Sequence, residues 1–410
     1  MRRGTNLPRM GGYNQMVVID EIRRAPDGVS RVELAGLTGL SLQTISNICG
    51  RLLTDGVIVE GEKRSEGLGK PRTMLHLEPS AGYALGVHVD PVAMTIIVVD
   101  LDGEILEKRV VETPVGAENA IAAIVTTAED LLDRSGILRS KVLGMGVAVP
   151  GPIDMDTGRV VRPPLLVGWD DVPLRDALGE ALDMPVLLEK DVSAAMIAEM
   201  WQEVRLARGT AIFFYMGFGV AVAFAHGGEL LAGSSRNAGE VGHLIVDGDG
   251  PLCSCGNRGC IGVSSSPMTF VDEAISRGIL PETTVVAIPA DVDRALTVLC
   301  AAAEGGDERA IDIIETSARR VAHGITILTD LVDADIVAFG GPCWSRLQGR
   351  FLPAVREELA TRATLREMHP VEILGSTVGE HVGAVGAASL VLDDAFTPRP
   401  SGLLAGARRS

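Results

Sequence analysis

Four side chains that are typical metal ligands lie close together in this sequence. His243, Cys253, Cys255 and Cys260 follow the spacing H-x9-C-x-C-x4-C. One imidazole and three thiolates make a complete tetrahedral set for zinc and leave no position open for a water molecule. The spacing therefore predicts a structural zinc site rather than a catalytic one.

The same stretch has a simpler interpretation, in which the three cysteines are buried or redox-active groups of a loop. Gly256 and Gly259 lie among the thiols and let the backbone turn tightly enough to bring them together. Three cysteines within eight residues, downstream of a glycine-flanked histidine, favour the zinc site over that alternative.

Composition limits what kind of protein this is. The 410 residues are enough for two or three domains, and 46% of them are apolar. The sequence has no run of eighteen apolar residues and no signal-peptide core, so we expect neither a membrane span nor secretion. Six cysteines, three of them in the metal motif, favour the reducing cytoplasm over a disulfide framework.

Charge is unevenly distributed along the chain, whose formal net charge is -17. Residues 1–80 contain 11 Lys and Arg against 9 Asp and Glu, whereas residues 81–410 contain 26 against 45. Because an acidic body repels nucleic acid, any DNA contact has to come from the first 80 residues.

Local signals in residues 1–80 predict a winged helix-turn-helix. Ser30 and Glu33 form a capping box at the start of a short helix, and Ser41 caps a second helix after the turn T-G-L-S. Two apolar stretches, 57–59 and 74–77, are typical of strands, and the glycine-rich basic segment between them forms the wing.

The second helix of this head is the predicted DNA-reading element, because its polar groups can pair with base edges. The candidates are Gln43, Thr44, Ser46, Asn47 and Arg51. Basic residues of the wing and of the N-terminal arm suit phosphate or minor-groove contacts. These are Lys63, Arg64, Lys70 and Arg72, with Arg2, Arg3 and Arg9. One head binds weakly, so we expect a dimer on a palindromic operator; a polar helix in a protein–protein module is the alternative.

Beyond residue 80, strands alternate with helices, which is typical of a mixed α/β sheet. Three motifs in this part resemble those of the ROK family of sugar kinases and sugar-responsive repressors: G-M-G-V-A-V-P-G-P-I-D, A-G-E-V-G-H and C-S-C-G-N-R-G-C. The resemblance covers about 84–392, and the head matches the repressor branch. It implies an actin-like (ribonuclease H-like) α/β fold of two lobes with a ligand cleft between them.

The expected domains follow from the head and from this resemblance. They are a winged helix-turn-helix (1–80), a first lobe (81–190, completed by a C-terminal helix 376–394), a second lobe with the zinc loop (191–375) and a disordered tail (395–410).

The resemblance also lets the kinase machinery be compared position by position. The first phosphate loop of the kinases, Asp-x-Gly-Gly-Thr-Lys, falls on 88–93, which read H-V-D-P-V-A. The second, Gly-Thr-Gly-x-Gly-Ala-Gly, falls on 217–223, which read G-F-G-V-A-V-A. The glycines, hydroxyls and lysine that would hold ATP phosphates are largely gone, so we expect no kinase activity. Asp191 matches the kinases' catalytic base, although an Asp at a helix start is also a common cap.

The sugar contacts implied by the resemblance are only partly present. The matching residues are Asp191, Glu240 and His243. The departures are Leu165 and Lys190, where the family has Asn, and Gly262, where it has Glu. A simple hexose would leave hydroxyls unpaired at these positions. We therefore expect an oligosaccharide, a modified sugar or an anionic metabolite attracted to Lys190, with an empty cleft as the alternative.

Together these observations predict a DNA-binding transcriptional regulator, a repressor of carbohydrate-related genes, that senses a sugar-derived ligand as a cytoplasmic homodimer or tetramer. The first alternative is an active sugar kinase with an appended head, which would need intact phosphate loops. The second is a zinc-stabilised interaction module whose head contacts protein.

Overall fold

The computed structural model describes residues 7–65, 71–364 and 367–396. Its helices are α1 (Leu7–Arg23), α2 (Arg31–Thr38), α3 (Leu42–Thr54), α4 (Ala117–Ser135), α5 (Leu174–Leu182), α6 (Asp191–Gln202), α7 (Ile261–Ser264), α8 (Pro267–Ser276), α9 (Pro289–Glu304), α10 (Glu308–Val332), α11 (Trp344–Arg362) and α12 (Val382–Phe396). Its strands are β1 (Val29–Ser30), β2 (Ile58–Arg64), β3 (Arg72–Leu77), β4 (Tyr83–Val89), β5 (Ala93–Asp100), β6 (Ile105–Glu112), β7 (Val142–Val149), β8 (Ile153–Asp154), β9 (Arg159–Val161), β10 (Asp171–Val172), β11 (Val186–Lys190), β12 (Thr210–Met216), β13 (Val220–His226), β14 (Glu229–Leu230), β15 (Ile336–Gly340) and β16 (Glu372–Gly375).

The head consists of α1–α3 and a three-stranded sheet of order β1-β3-β2. The capping box forms as expected, since the Ser30 hydroxyl accepts from the Glu33 amide and the Glu33 carboxylate accepts from the Ser30 amide at 2.7 Å. Ser41 caps α3 and accepts from the Thr44 amide at 3.2 Å. Two capped helices followed by the β2–β3 hairpin give the predicted helix-turn-helix with a wing.

Two five-stranded mixed sheets with one shared topology make up the body. The first has the order β11-β7-β4-β5-β6 and the second the order β14-β13-β12-β15-β16. In each sheet, three consecutive strands form an antiparallel meander, and two later strands add in parallel beside the first of the three. The duplication is one of strand connections, which the residue pattern of the sequence does not show.

Helices α6 and α12 lie between these two sheets. Alternate residues of strand β12 face the two sides of the second sheet. Ile212 and Phe214 face an outer core with α8–α11, whereas Phe213 and Tyr215 face α6 and α12. On the other side, α4 and α5 cover the outer face of the first sheet. The body is therefore a two-lobed α/β structure of five layers, with α6 and α12 as the central layer.

Close backbone approaches hold α12 in that central layer. A Cβ added at Gly146 of β7 would lie 1.7 Å from the Ala387 carbonyl oxygen. One added at Gly386 of α12 would lie 1.8 Å from the Ala194 carbonyl oxygen in α6. Only glycine permits contacts this short, so α12 packs directly against the backbone of both neighbours.

No helix in the described part of the chain is long and apolar enough to span a bilayer. The last helix continues to Phe396, two residues past its expected end at 394. From residue 397 onward, the expected disordered tail lies outside the described residues.

Replacing Gly386 with Ala tests the packing of the central layer. The added methyl group would meet the Ala194 carbonyl and force α12 away from α6, so we expect a loss of about 1–3 kcal/mol of unfolding free energy. Gly349→Ala is the matched control, because Gly349 lies inside α11 with open space beside it, and there the change should stabilise by up to about 1 kcal/mol. Urea unfolding measures both variants, and a shift of equal sign would contradict this account.

Candidate functional site

The four metal ligands expected from the sequence converge on one point. One ligand atom from each of His243, Cys253, Cys255 and Cys260 lies within 4.8 Å of all the others. His243 Nδ1 is 3.5 Å from Cys253 Sγ, and Cys255 Sγ is 3.6 Å from Cys260 Sγ. These separations are close to the edges of a tetrahedron with bonds of about 2.0–2.3 Å, so the cluster could hold a metal ion.

A tightly folded loop brings the ligands together. Gly259 has a φ of 65°, and a Cβ there would lie 1.5 Å from the Asp247 carbonyl oxygen. Gly256, with a φ of 92°, turns the chain so that its amide donates to the Cys253 carbonyl at 2.9 Å. Arg320 of α10 donates to the Asp247 carboxylate at 2.7 Å and ties the loop to the second lobe. Both glycines are therefore required by the backbone geometry of the cluster.

Lys190 ends β11 where the two lobes meet, and it is almost fully buried. Its side chain is 2% exposed, whereas that of Glu240, in the segment leading to the metal cluster, is 65% exposed. The Lys190 ammonium donates to the Glu240 carboxylate. It also lies 3.4 Å from each of the carbonyl oxygens of Asn237 and Ala238, which accept from it. The structure thus pairs this cation with an acidic residue of the opposite lobe.

Two further contacts join the lobes around this ion pair. The Asn237 side chain accepts from the Ile153 amide and donates to the Ile153 carbonyl, both at 2.9 Å, as a neighbouring strand would. Leu165 lies against the β12–β13 turn, since a Cβ added at Gly219 would come within 3.4 Å of Leu165 Cδ1. The lobes therefore touch directly at positions where the resemblance implies sugar contacts.

Gly262 lies flat against the segment that carries Glu240 and His243. Its amide donates to the Gly242 carbonyl at 2.9 Å, and an added Cβ would lie 2.8 Å from that oxygen. A glutamate at this position, as the resemblance implies for the family, would require the backbone to shift.

Asp191 is the first residue of α6, and Lys190 occupies the N-cap position. The Asp191 carboxylate accepts from the Val192 amide at 2.8 Å, and its charge is favourable at a helix N-terminus. Burial raises the pKa of this carboxyl to about 6. The residue supports the start of α6 and also lies beside the Lys190–Glu240 pair, so its position fits both interpretations made from the sequence.

The region that matches the first phosphate loop contains contacts between the lobes. His88 Nε2 and the Tyr215 hydroxyl are buried 3.0 Å apart and join β4 to β12. Asp90 is 7% exposed, and its carboxylate accepts from the Val92 amide at 2.9 Å. A Cβ added at Gly217 would lie 3.5 Å from Asp90 Oδ2, so this carboxylate lies beside the loop that matches the second phosphate loop.

Burial raises the pKa of Asp90 to about 7, and the nearby charge of Asp191 acts in the same direction. An acidic group buried here repels a phosphate when it is ionised. The first and second loops together contain no lysine or arginine that could offset this repulsion.

Packing within the second lobe explains the residues at Gly340, Gly341 and Phe218, three positions that match the kinases' nucleotide-binding region. Gly341 has a φ of 114°, and a Cβ there would lie 2.6 Å from the Met216 carbonyl oxygen. A Cβ at Gly340 would lie 2.7 Å from Phe213 Cζ. Phe218 packs against the outer core of the second lobe. These positions are explained without a nucleotide.

The predicted DNA-reading residues share one face of α3. Gln43, Ser46, Asn47 and Arg51 are exposed there, opposite the buried apolar residues of the helix. Gln43 Nε2 donates to Asn47 Oδ1 at 3.1 Å, which orients both amides. Thr44 differs from the others, because its amide and hydroxyl take part in the cap of α3.

The basic residues of the wing differ in their surroundings. Lys63 and Arg72 are exposed on β2 and β3. Arg64 donates to the Asp27 carbonyl at 3.1 Å, which ties the wing to the turn after α1. Of the remaining predicted contacts, Lys70, Arg2 and Arg3 lie outside the described residues, and Arg9 belongs to α1.

Sequence reasoning missed two of the residue pairs that join the lobes. The Asn237–Ile153 and His88–Tyr215 pairs are separated by 84 and 127 residues along the chain, so no local pattern connects the partners. The one available signal was a polar side chain, His88, inside the otherwise apolar strand β4. Such a residue needs a buried partner and could have been singled out for that reason.

A protein-family model described as the ROK family matches residues 84–394. The chain is 24% identical over 372 residues to the xylose repressor of Caldicellulosiruptor bescii, covering 89% of this chain and 92% of that protein. It is 28% identical over 317 residues to the glucokinase of Halalkalibacterium halodurans, covering 75% of this chain and 94% of that protein. The alignment with the repressor thus extends over more of this chain.

Among solved structures, the chain is similar to a ROK family transcriptional regulator described as a homologue of the E. coli Mlc protein. The TM-score is 0.76 at 20% sequence identity, covering 97% of this chain and 100% of that one. The shared fold therefore includes the head as well as the body.

The buried Asp90 should give the protein a pH signature. Because its pKa of about 7 lies above the ordinary value of 3.8, the folded protein keeps a proton that the unfolded chain releases, and stability falls by up to about 1.4 kcal/mol per pH unit between roughly pH 4 and 7. Asp90→Asn keeps the acceptor for the Val92 amide and removes the charge. We expect its gain in thermal midpoint over the wild type to be larger at pH 8 than at pH 5.

The control for this experiment is Asp130→Asn, since Asp130 is exposed on α4 and, within the described residues, forms only a loose ion pair of 3.7 Å with Arg109. It should show no such difference between the two pH values. An equal gain for Asp90→Asn at pH 5 and pH 8 would contradict a buried Asp90 that ionises in this range.

Proposed function

The chain belongs to the ROK family, and on that premise we propose that it is a DNA-binding transcriptional regulator, a repressor of carbohydrate-related genes. Its body would sense a sugar-type ligand in the cleft between the lobes. The observation that carries the proposal is the presence, in one chain, of a helix-turn-helix head with an exposed polar reading face and a body whose phosphate loops have lost their phosphate-binding groups.

The head has the groups that reading DNA requires. The linked amides of Gln43 and Asn47 are exposed on α3, where each could bond to an adenine edge in the major groove. Arg51 lies on the same face, and Lys63 and Arg72 on the wing can contact phosphates. The strongly acidic body offers DNA no comparable surface, so the head determines where the protein binds.

We infer that the body does not transfer phosphate, although its family includes kinases. In the first loop, Pro91 has no amide hydrogen to donate, and the buried carboxylate of Asp90 lies beside Gly217 of the second loop. Asp191 remains at the position of the catalytic base, but a base has no role without a bound phosphoryl donor.

We assign the metal ion as zinc in a structural role. Three thiolates and one imidazole favour zinc, and with all four ligands from the protein no position remains for a reacting water. The ion would bind His243 and thereby fix the backbone that carries Glu240, three residues earlier. It would therefore stabilise the wall of the cleft that contacts Lys190.

The Lys190–Glu240 ion pair restricts which ligand the cleft can accept. A neutral hexose would have to separate two opposite charges and leave the buried ammonium without a counter-charge, which is costly. A carboxylated or phosphorylated sugar could replace Glu240 at the ammonium and restore the pairing. We therefore propose an anionic, sugar-derived effector that binds by exchange with Glu240.

The head also implies an assembly and a location. A single reading helix covers one half-site, and symmetric half-sites require symmetric heads, so we propose a homodimer or a dimer of dimers on a palindromic operator. A DNA target and a thiolate metal site are both compatible with the reducing cytoplasm.

DNA binding by the full-length, zinc-loaded protein is the direct test of this function. We expect it to enrich specific duplexes from a random pool, with an affinity that falls steeply as salt rises. Asn47→Ala should weaken binding to the enriched duplex by about 1–3 kcal/mol and leave binding to a scrambled duplex unchanged. Lys63→Ala should weaken binding to both duplexes equally and reduce the salt slope by about 1.

Gln348→Ala is the matched control, because Gln348 is an exposed helical amide in the body and should leave both affinities unchanged. If Asn47→Ala affected the enriched and scrambled duplexes alike, α3 would not be the reading helix. A uniformly salt-independent interaction would favour the interaction-module alternative.

Metal analysis tests the zinc assignment. We expect about one zinc ion per chain in protein purified without added metal, by mass spectrometry. Cys255→Ser should lose the ion and lower the thermal midpoint to that of chelator-treated protein, since a tetrahedral site needs all four ligands. Cys300→Ala, a buried cysteine outside the cluster, should keep the ion. Full zinc content in Cys255→Ser would show that the ion lies elsewhere.

A further inference from the structure

The head rests on the body through a contact between a cation and an aromatic ring. Arg23, at the end of α1, places its Cζ atom 3.7 Å from the ring centroid of Trp201, near the end of α6. Asp20 holds the guanidinium in place with an ion pair of 2.8 Å and also pairs with Arg24 at 2.9 Å. Because Arg23 and Asp20 are only 13% and 10% exposed, this contact is a built part of the fold.

Helix α6 connects this contact to the cleft. It begins at Asp191, directly after Lys190, and the ten residues to Trp201 correspond to about 15 Å along the axis. Its sequence, D-V-S-A-A-M-I-A-E-M-W-Q, contains no glycine or proline at which it could bend. A displacement of its first turn is therefore carried to its last turn.

Hydrogen bonds and a close backbone approach fasten α6 to α12 and to the segment before α12. The buried Glu199 carboxylate accepts from the Thr377 amide at 3.1 Å, from the Thr377 hydroxyl at 2.8 Å and from the Ser376 hydroxyl. The Gly386 approach to Ala194 holds α12 against the same helix. These contacts fasten the two helices to each other.

The far end of α12 reaches the head as well. Phe396, its last residue, packs against the core between the sheets and against the core of the head. Beside the Arg23–Trp201 contact lies a cavity of about 380 Å³, lined by residues of both head and body. Contacts made by α6 and α12 beside this open space thus help to set the orientation of the head.

We propose that α6 links the Lys190–Glu240 contact between the lobes to the position of the head on Trp201. When Glu240 leaves Lys190, the N-cap of α6 loses its charged partner in the segment that carries Glu240, and the helix changes its tilt together with α12. The indole under Arg23 turns with it and changes the angle of the head. Arg23 and Trp201 are positioning residues in this arrangement, and its relevance to gene control rests on the function proposed above.

Quenching of tryptophan fluorescence by acrylamide tests the link without DNA or effector. Trp169 and Trp344 are 3% and 4% exposed, whereas Trp201 is partly exposed, so the quenchable signal belongs mainly to Trp201 and should be lost in Trp201→Phe. Glu240→Gln removes the charge of the exposed partner, while the carbonyl oxygens of Asn237 and Ala238 still accept from the Lys190 ammonium, so the fold should stay intact. We expect acrylamide to quench the fluorescence of Glu240→Gln more than that of the wild type. The quenching should approach that of Arg23→Ala, which uncovers the Trp201 indole directly.

Lys190→Met serves as the second variant, since it removes the same ion pair without leaving a buried cation alone. Glu282→Gln is the matched control, because Glu282 is an exposed carboxylate of the second lobe, and it should quench as the wild type does. Wild-type quenching in both Glu240→Gln and Lys190→Met, with unchanged circular dichroism, would overturn the proposal.

The affinity for an enriched duplex separates this link from the function on which it rests. We expect Glu240→Gln to change Kd by roughly 5–150-fold, and to have no further effect in a Trp201→Ala background, because the link is already broken there. Equal effects in both backgrounds would refute the link while leaving DNA binding intact. A quenching change in a protein that binds no DNA would support the link and refute the proposed function.

Discussion

A buried lysine ammonium constrains how the two lobes of this protein meet. Lys190 is nearly inaccessible to solvent, and its counter-charge comes from Glu240 on the opposite lobe. A cation removed from water is tolerated only when its partners are in place, so the lobes have to approach closely at this point. The Asn237–Ile153 hydrogen bonds and the contact of Leu165 near Gly219 surround the same point. The cleft is consequently held together by the protein's own groups.

The positions that match the phosphate loops of the kinases contain contacts between the lobes in this chain. His88 and Tyr215 join the lobes where a phosphate loop would lie, and Asp90 adds a buried acid. Such groups stabilise contact between the lobes, and an ionised Asp90 would repel a phosphate. The head contacts Trp201 through Arg23 of its helix α1 and is well situated to respond to a motion of the lobes.

Two rigid features would give the proposed rotation of α6 and the head a defined direction. The loop that brings His243 and the three cysteines together is hydrogen-bonded from Gly262 to Gly242 in the segment around Glu240, and the glycine contacts of α12 hold the central layer together. Between them, α6 carries Lys190 at its N-cap and Trp201 in its last turn. Because each of these elements is stiff, a change in the ion pair is expressed as a rotation of whole helices rather than as local disorder.

Much of this protein is determined by the sequence alone. Capping residues such as Ser30, apolar periodicity and the spacing of the cysteines are local, and they predict the helices of the head, most strands and the convergence of the four ligands. The tertiary structure alone decided the partner of Lys190, the raised pKa of Asp90 and the seat of the head on Trp201. The physical reason is that these properties arise from burial and from groups dozens of residues apart, which only the packing of the two sheets around α6 and α12 brings together.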